Sequence, residues 1–583
     1  MYLETINGPS DLKKLNIEQL PELVGEIRSA LITKASEFGG HLSSNLGIVE
    51  ATIALHYVFN SPVDKVIFDV SHQCYTHKIL TGRKEGFTDA SQYRTFNGYT
   101  NPDESNHDLF RVGHSATSIS LACGIAKARD LKGEKYNVIA VIGDGALSGG
   151  EAFEGLDYAG SEIEGNFIII FNDNQMSIPE DRGGIYKGLK ILRDTEGKAE
   201  DNLFKAFGYD YVYVKDGNDA AAVIEAFRKV KDTEHPVVVH ICTVKGKGYE
   251  YAENHKESTH WVRPFDIETG EEKNPFMGER YDRIIRDHLI EKMKSDPAVV
   301  TMIAAVPDAL SFAKEYRDQV GKQFVDVGIA EEHAISMAAG LAKNGCKPVF
   351  ATMSTFFQRT YDQISQELCI NKMPVTLVVV NASVYAANDV THIGIFDIPM
   401  MSNIPNLVYL APTNKQEYLA MLDWAIDQNE WPVAVRAPRN GVFETKGEVD
   451  KDYSQINKYK VVNQGEKIAV LALGDFFQMG EELADKIKEQ FGYTPTLINP
   501  RFITGLDEEL LEELKVKHSL IITLEDGVLE GGWGQKLASY YGSSEVRVLN
   551  YGLKKEFLDR YNVTEVMEKN RLRVDTILKD LSL

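Results

Sequence analysis

Two stretches decide how this chain is read: Val138-Ile139-Ala140-Val141-Ile142-Gly143-Asp144-Gly145, and Phe167-Ile168-Ile169-Ile170-Phe171-Asn172-Asp173-Asn174, which sets Asn174 thirty residues after Asp144. Each apolar run predicts a strand buried on both faces. Between them, residues 150–159 predict a helix. Strand, turn, helix and strand imply two parallel neighbours with an Asp and an Asn side by side at their carboxyl ends, where open α/β sheets bind ligands. The side-chain oxygens of Asp144 and Asn174 suit a hard cation such as Mg2+, with a diphosphate completing the shell. Gly143 and Gly145 allow the backbone to approach that diphosphate closely. Gly-Asp-Gly alone is a common turn. Two such triplets, each closing a buried-type strand, make the ligand site the better reading.

Outward from this unit the chain alternates strands and helices in three blocks. Polar stretches at 266–275 and 445–457 separate them, giving expected domains at 1–270, 278–444 and 456–583. The second block opens on a predicted helix at 280–293, with apolar runs at 299–305, 348–352, 375–380 and 407–410. The third carries predicted strands at 468–473 and 520–524. The expected class is α/β, three domains with mainly parallel sheets flanked by helices.

Composition narrows the function. Hydrophobic content of 43% and charged content of 26% are those of an ordinary globular protein. A formal charge of −23 without a Lys/Arg cluster argues against nucleic acid or anionic membrane as partner. Phosphate binding must therefore rely on a metal or a few placed Lys and Arg residues. Five cysteines without Cys-x-x-Cys spacing argue against a zinc site and fit a reducing cytoplasm. The first residues lack the basic and apolar regions of a signal peptide, and no apolar run has membrane-spanning length.

The Gly-Asp-Gly to Asn spacing resembles the thiamine diphosphate motif. That cofactor needs one buried carboxyl against its aminopyrimidine. Glu331, where an apolar segment meets a helix start, is the candidate, although a Glu there also favours the helix dipole. Phe356 is placed to stack on the pyrimidine or simply to pack in the core. His41, His72, His114, His260 and His392 are each, taken alone, ordinary surface or core histidines, and gathered together they would exchange protons near neutral pH. Lys245 either supplies charge to the diphosphate or is solvated loop charge.

Taken together, these segments resemble the 1-deoxy-D-xylulose-5-phosphate synthase family, a transketolase-like thiamine diphosphate group, over essentially the full length. The resemblance is carried by residues 40–56, 69–83 (DVSHQCYTHKILTGR), 112–119 (VGHSATSI), 143–150, 172–178, 245–249 with His260, 326–340, 354–363, 391–397 and 438–439. It implies that Asp144, Asn174 and the carbonyl of Met176 hold Mg2+. His72, Gly113, His114, Ser115, Gly145, Ala146, Asn174, Lys245, Tyr249, Glu331 and Phe356 would line thiamine diphosphate. Glu331 would activate the cofactor, and His41, His72, His260 and His392 would serve the reacting groups. His41, His392 and Arg439 would bind substrates, with Arg439 taking the acceptor's phosphate. The implied reaction is decarboxylating condensation of pyruvate with D-glyceraldehyde 3-phosphate, in a homodimer whose active site lies between the first two domains. Three acceptor positions depart from the family pattern: Asn381 replaces a phosphate-binding Arg, Asn388 an Asp and Met353 a Tyr. The segment 179–201 is also shorter than usual. Two further readings therefore stand beside the synthase. One is a paralogue using another aldehyde or a ketose donor, and the other is an idle cofactor-binding relative.

Overall fold

The computed structural model describes residues 1–386, 389–445 and 447–581. The chain forms two compact units, 1–277 with 328–330, and 278–327 with 331–583. The first unit is built on five parallel strands: β1 (Lys65–Phe68), β2 (Val138–Gly143), β3 (Phe167–Asp173), β4 (Asp210–Val214) and β5 (Val237–Cys242). They lie in the order β1-β2-β3-β5-β4. Every residue of β3 is buried, as is all of β2 up to Ile142. Alternate side chains feed two separate apolar clusters, Ile168 and Ile170 one of them and Phe167, Ile169 and Phe171 the other. A sheet covered on both faces needs apolar residues at every position, which is why these runs do not alternate with polar residues.

The second unit holds two sheets. Strands β6 (Val299–Ile303), β7 (Phe324–Asp326), β8 (Lys347–Met353), β9 (Thr376–Val380), β10 (Val408–Leu410) and β11 (Val433–Arg436) are all parallel, in the order β10-β11-β9-β8-β6-β7. Strands β12 (Lys460–Asn463), β13 (Lys467–Ala472), β14 (Thr496–Asn499), β15 (His518–Val528) and β16 (Arg547–Leu553) follow in the order β12-β14-β13-β15-β16, with β12 antiparallel at the edge. One apolar core runs through both sheets, from Phe350 and Tyr409 to Leu471 and Trp533. Buried Arg436 at the end of β11 joins them electrostatically. Its Nε lies 2.8 Å from Asp397, and its Nη1 lies 2.6 Å from Asp526.

Several expectations shift in detail. The helix expected at 280–293 spans Tyr281–Ser295, and the strand expected at 520–524 spans His518–Val528. The stretch 266–275 is folded rather than a bare linker. The Asp266 carboxylate accepts from the N–H groups of Glu268 and Thr269, and Lys273 bonds the Ser36 carbonyl at 3.0 Å. Among the described residues no helix is long and apolar enough to cross a membrane.

Candidate active site

Asp144 stands at the carboxyl end of β2 and is 2% exposed. Its Oδ2 accepts from the N–H groups of Asn174 (2.7 Å) and Gln175 (2.5 Å), and its Oδ1 from Gly145 (3.0 Å). These bonds tie the ends of β2 and β3 together, as the parallel register Gly143↔Asn172 requires. Asn174 Oδ1 accepts from the Met176 N–H at 3.1 Å. A Cβ on Gly145 would lie 2.7 Å from the Ser177 Cβ, so only glycine lets these two turns touch. Lys245 is 1% exposed, and its ammonium bonds the Ser177 carbonyl. Burial pushes Lys245 down to about 8, against the pull of Asp144 and Asp181. Burial, with Asp181 and Asp173 nearby, holds the Asp144 carboxyl well above its usual range. Both oxygens of the neighbouring Asp181 are enclosed, and its carboxyl meets that of Asp144. Buried carboxylates with an oxygen-only shell and one lysine fit a hard divalent cation carrying a diphosphate.

The histidines converge because distant segments pair. Gly40–His41 forms a two-residue antiparallel ladder with Trp261–Val262, and the Leu42 N–H bonds the His260 carbonyl at 3.2 Å. Asn45, 1% exposed, donates to the carbonyls of both His41 (2.9 Å) and His72 (2.8 Å). The ring centroids of His41, His72 and His260 therefore lie 5.0–5.5 Å apart, with Tyr99 5.7 Å from His41. His260 Nδ1 is buried without a partner. Burial, then Lys245 and the other two imidazoles, keeps His260 well below its usual range, hence neutral at pH 7.

The DVSHQ stretch also has a mechanical role. Val70 and Ser71 take left-handed backbone with φ of 57° and 64°. Asp69, at the end of β1, accepts from the N–H groups of Ala116 (2.8 Å) and Ser118 (3.0 Å), and so anchors the turn carrying Gly113, His114 and Ser115. Beneath it, buried Arg83 grips Asp108, which also meets His77 at 2.8 Å.

In the second unit Glu331 opens the helix Glu331–Lys343 and is 4% exposed. Its Oε2 has no hydrogen-bond partner, and burial pushes the acid up to about 7, opposed by Arg359. Phe356 meets His392 edge-on at 5.7 Å. His392 bonds the Thr391 hydroxyl at 2.8 Å and lies 3.6 Å from the Asp389 carboxylate. Met353 and Asn381 sit at the ends of β8 and β9, and Asn381 is left-handed with φ of 55°. Arg439 is exposed, and its backbone N–H donates to Asp475 at 2.9 Å. Asn388 lies outside the described residues.

Asp144, Asn174, Met176, Gly145, Ala146 and Lys245 thus form one group, and His41, His72 and His260 another. Tyr249 is held within its own segment of the first unit. Its hydroxyl bonds the Ile267 carbonyl at 2.8 Å, and its ring faces Phe265. Four further residues were not singled out from the sequence: Asn45, Tyr99, Asp181 and Arg359. Asn45 alone had a signal in sequence, as a polar residue inside the Gly-His-Leu-Ser-Ser-Asn-Leu-Gly run.

Comparison with known proteins gives three matching family models. The model described as 1-deoxy-D-xylulose-5-phosphate synthase matches residues 3–200 and 195–243. The transketolase pyrimidine binding domain matches 280–443, and the transketolase C-terminal domain 457–577. Among curated relatives, the 1-deoxy-D-xylulose-5-phosphate synthase of Caldanaerobacter subterraneus subsp. tengcongensis is 41% identical, with 99% of each chain covered. That of Alkaliphilus oremlandii is 39% identical, covering 100% of this chain and 99% of its own. Among solved structures, the transketolase of Campylobacter jejuni is 17% identical, with a TM-score of 0.44, covering 97% of this chain and 100% of its own.

Proposed function

Since this chain belongs to the 1-deoxy-D-xylulose-5-phosphate synthase family, we propose that it condenses pyruvate, with loss of CO2, and D-glyceraldehyde 3-phosphate. The observation that carries the reading is the pairing of buried Asp144 with Asn174 and Lys245 at the strand ends, in a unit that also gathers His41, His72 and His260. When bound, thiamine diphosphate would supply the nucleophilic carbon that two-carbon transfer requires.

The protein's own residues do the rest. Asp144, Asn174 and the Met176 carbonyl hold Mg2+, and Lys245 with the turn at Gly113, His114 and Ser115 receives the diphosphate. Glu331 holds or releases a proton at the pyrimidine nitrogen. Its enclosed, unpartnered Oε2 and its raised pKa of about 7 suit a carboxyl that stays protonated until a basic nitrogen arrives. Neutral His260 accepts a proton, and His41 and His72 orient or donate to the substrate oxygens. His392 is held by Thr391 and Asp389 at the substrate side, and Arg439 offers the acceptor's phosphate a charge-assisted contact. We further assign three functional domains near the bounds 1–270, 278–444 and 456–583, a homodimer, and a cytoplasmic setting, the last supported by five free cysteines.

A second reading concerns the acceptor. Asn381, at the end of β9, cannot supply the guanidinium that the family pattern places there, which favours a reshaped pocket for another aldehyde. The test incubates the protein with pyruvate, thiamine diphosphate, Mg2+ and a panel of aldehydes, and identifies products by mass. Deoxyxylulose phosphate as the main product supports the synthase. Higher kcat/KM with another aldehyde supports the second reading.

A further inference from the structure

The short loop after β3 turns back on itself. Met176 and Glu180 form an isolated antiparallel bridge, which returns the next residue, Asp181, to Asp144. Both Asp181 oxygens are enclosed, and the carboxyl meets that of Asp144. The charges around them are the Asp144 and Asp173 carboxylates and the ammonium of Lys245, which is committed to the Ser177 carbonyl. Asp173 Oδ2 takes the Arg193 guanidinium at 2.5 Å and His240 at 2.9 Å, so Arg193 is engaged by Asp173 and not by Asp181. Asp144 accepts three backbone N–H bonds, and among the described residues no Lys or Arg forms an ion pair with it. Two enclosed carboxylates that meet are costly while both are charged, and either a shared proton or a cation between them removes that cost. Oxygen ligands at a strand end are what Mg2+ and Mn2+ accept, one or two of them carboxylates, with water filling the remaining positions.

We propose that Asp181 is a further ligand of the divalent cation, so that this protein takes up its cation before the diphosphate arrives. The proposal rests on the cation assignment made above and adds to it a ligand and an order of loading. With Asp144 alone, a doubly charged ion is only half neutralised and depends on the diphosphate for the remainder. With Asp144 and Asp181 together, the charge is matched by the protein itself.

The test uses the full-length protein freed of cofactor and titrated with Mn2+, reading the free ion by electron paramagnetic resonance. Wild type should bind one Mn2+ without any diphosphate. Asp181→Asn should weaken that binding by roughly tenfold or more, and Asp181→Ser should do the same. Far-UV circular dichroism and thermal melting confirm that both variants fold. Three results overturn the proposal: Mn2+ binding unchanged in both variants, no Mn2+ uptake by wild type until thiamine diphosphate is added, or unchanged Mn2+ binding with tighter thiamine diphosphate binding. The last would mean that Asp181 stands where the anion goes. Calorimetry with thiamine diphosphate at saturating Mg2+ tests the functional reading separately. Wild type that fails to bind it would remove that reading, whereas the Mn2+ titration would still decide the role of Asp181.

Discussion

Glu331 carries an acidic proton where solvent cannot reach it: it is 4% exposed and pushed up to about 7 by burial. Its folded pKa lies above the unfolded value, so its proton adds stability that is fullest below about pH 4.5 and is lost as pH rises through about 7. At roughly 1.4 kcal/mol per pKa unit, the loss approaches about 3 kcal/mol. Glu331→Gln should remove this slope, so melting temperatures of wild type and variant should converge at pH 5 relative to pH 8. The variant should also lose about 10²- to 10⁴-fold in turnover. Unchanged turnover would place cofactor activation elsewhere. Alanine at His41 or His260 should lower kcat by about 10²-fold or more with little change in cofactor affinity; wild-type kcat in both would make the trio structural. Asn381→Arg should raise kcat/KM for D-glyceraldehyde 3-phosphate about tenfold or more through one charge-assisted contact. Its left-handed backbone should cost about 1 kcal/mol, visible as a lower melting temperature. No gain with that aldehyde would favour the reshaped pocket. Residues at the ends of long apolar runs, such as Asp144 and Asn174, were legible in the sequence because the run itself points to them. Asp181 and Arg359 were not, because only the returning chain brings Asp181 to Asp144, and only a neighbouring helical turn brings Arg359 to Glu331.

At the level of elements, the strands that could be read were those covered on both faces. β2, β3 and β9 are unbroken apolar stretches. Edge strand β12, Lys460–Asn463, is half exposed and has no such signature. The folded segment 266–275 looked like a linker because its order comes from Asp266 capping its own turn and from Lys273 reaching Ser36, neither of which needs apolar residues. Asp69 shows how one side chain fixes a whole turn. Asp69→Ala strips the acceptor from two buried N–H groups at 116 and 118, and should cost about 2–4 kcal/mol. Amide exchange across 113–118 should quicken by a matching factor. Exchange rates equal to wild type would show that the turn holds itself.

Over the second unit as a whole, Arg436 is the charge on which two sheets depend, with Asp397 on one side and Asp526 on the other. Removing it leaves two buried carboxylates facing each other, so Arg436→Ala should cost about 3–5 kcal/mol. A methionine there, together with Asp397→Asn and Asp526→Asn, should recover much of the loss. Denaturant unfolding of the three proteins checks this. A single variant as stable as wild type would mean that the network contributes nothing net. The whole-chain class, α/β with mainly parallel sheets, was legible because alternating strands and helices leave few other topologies. The pairing of Gly40–His41 with Trp261–Val262 was not, since nothing local marks two-residue partners about 220 positions apart. That pairing also places the site in time. A ribosome adding about 5–20 residues per second needs roughly 10–45 s to travel from residue 41 to residue 260. Throughout that interval His260 is not yet there to meet His41 and His72, so the trio cannot close until the first unit has been made almost entirely.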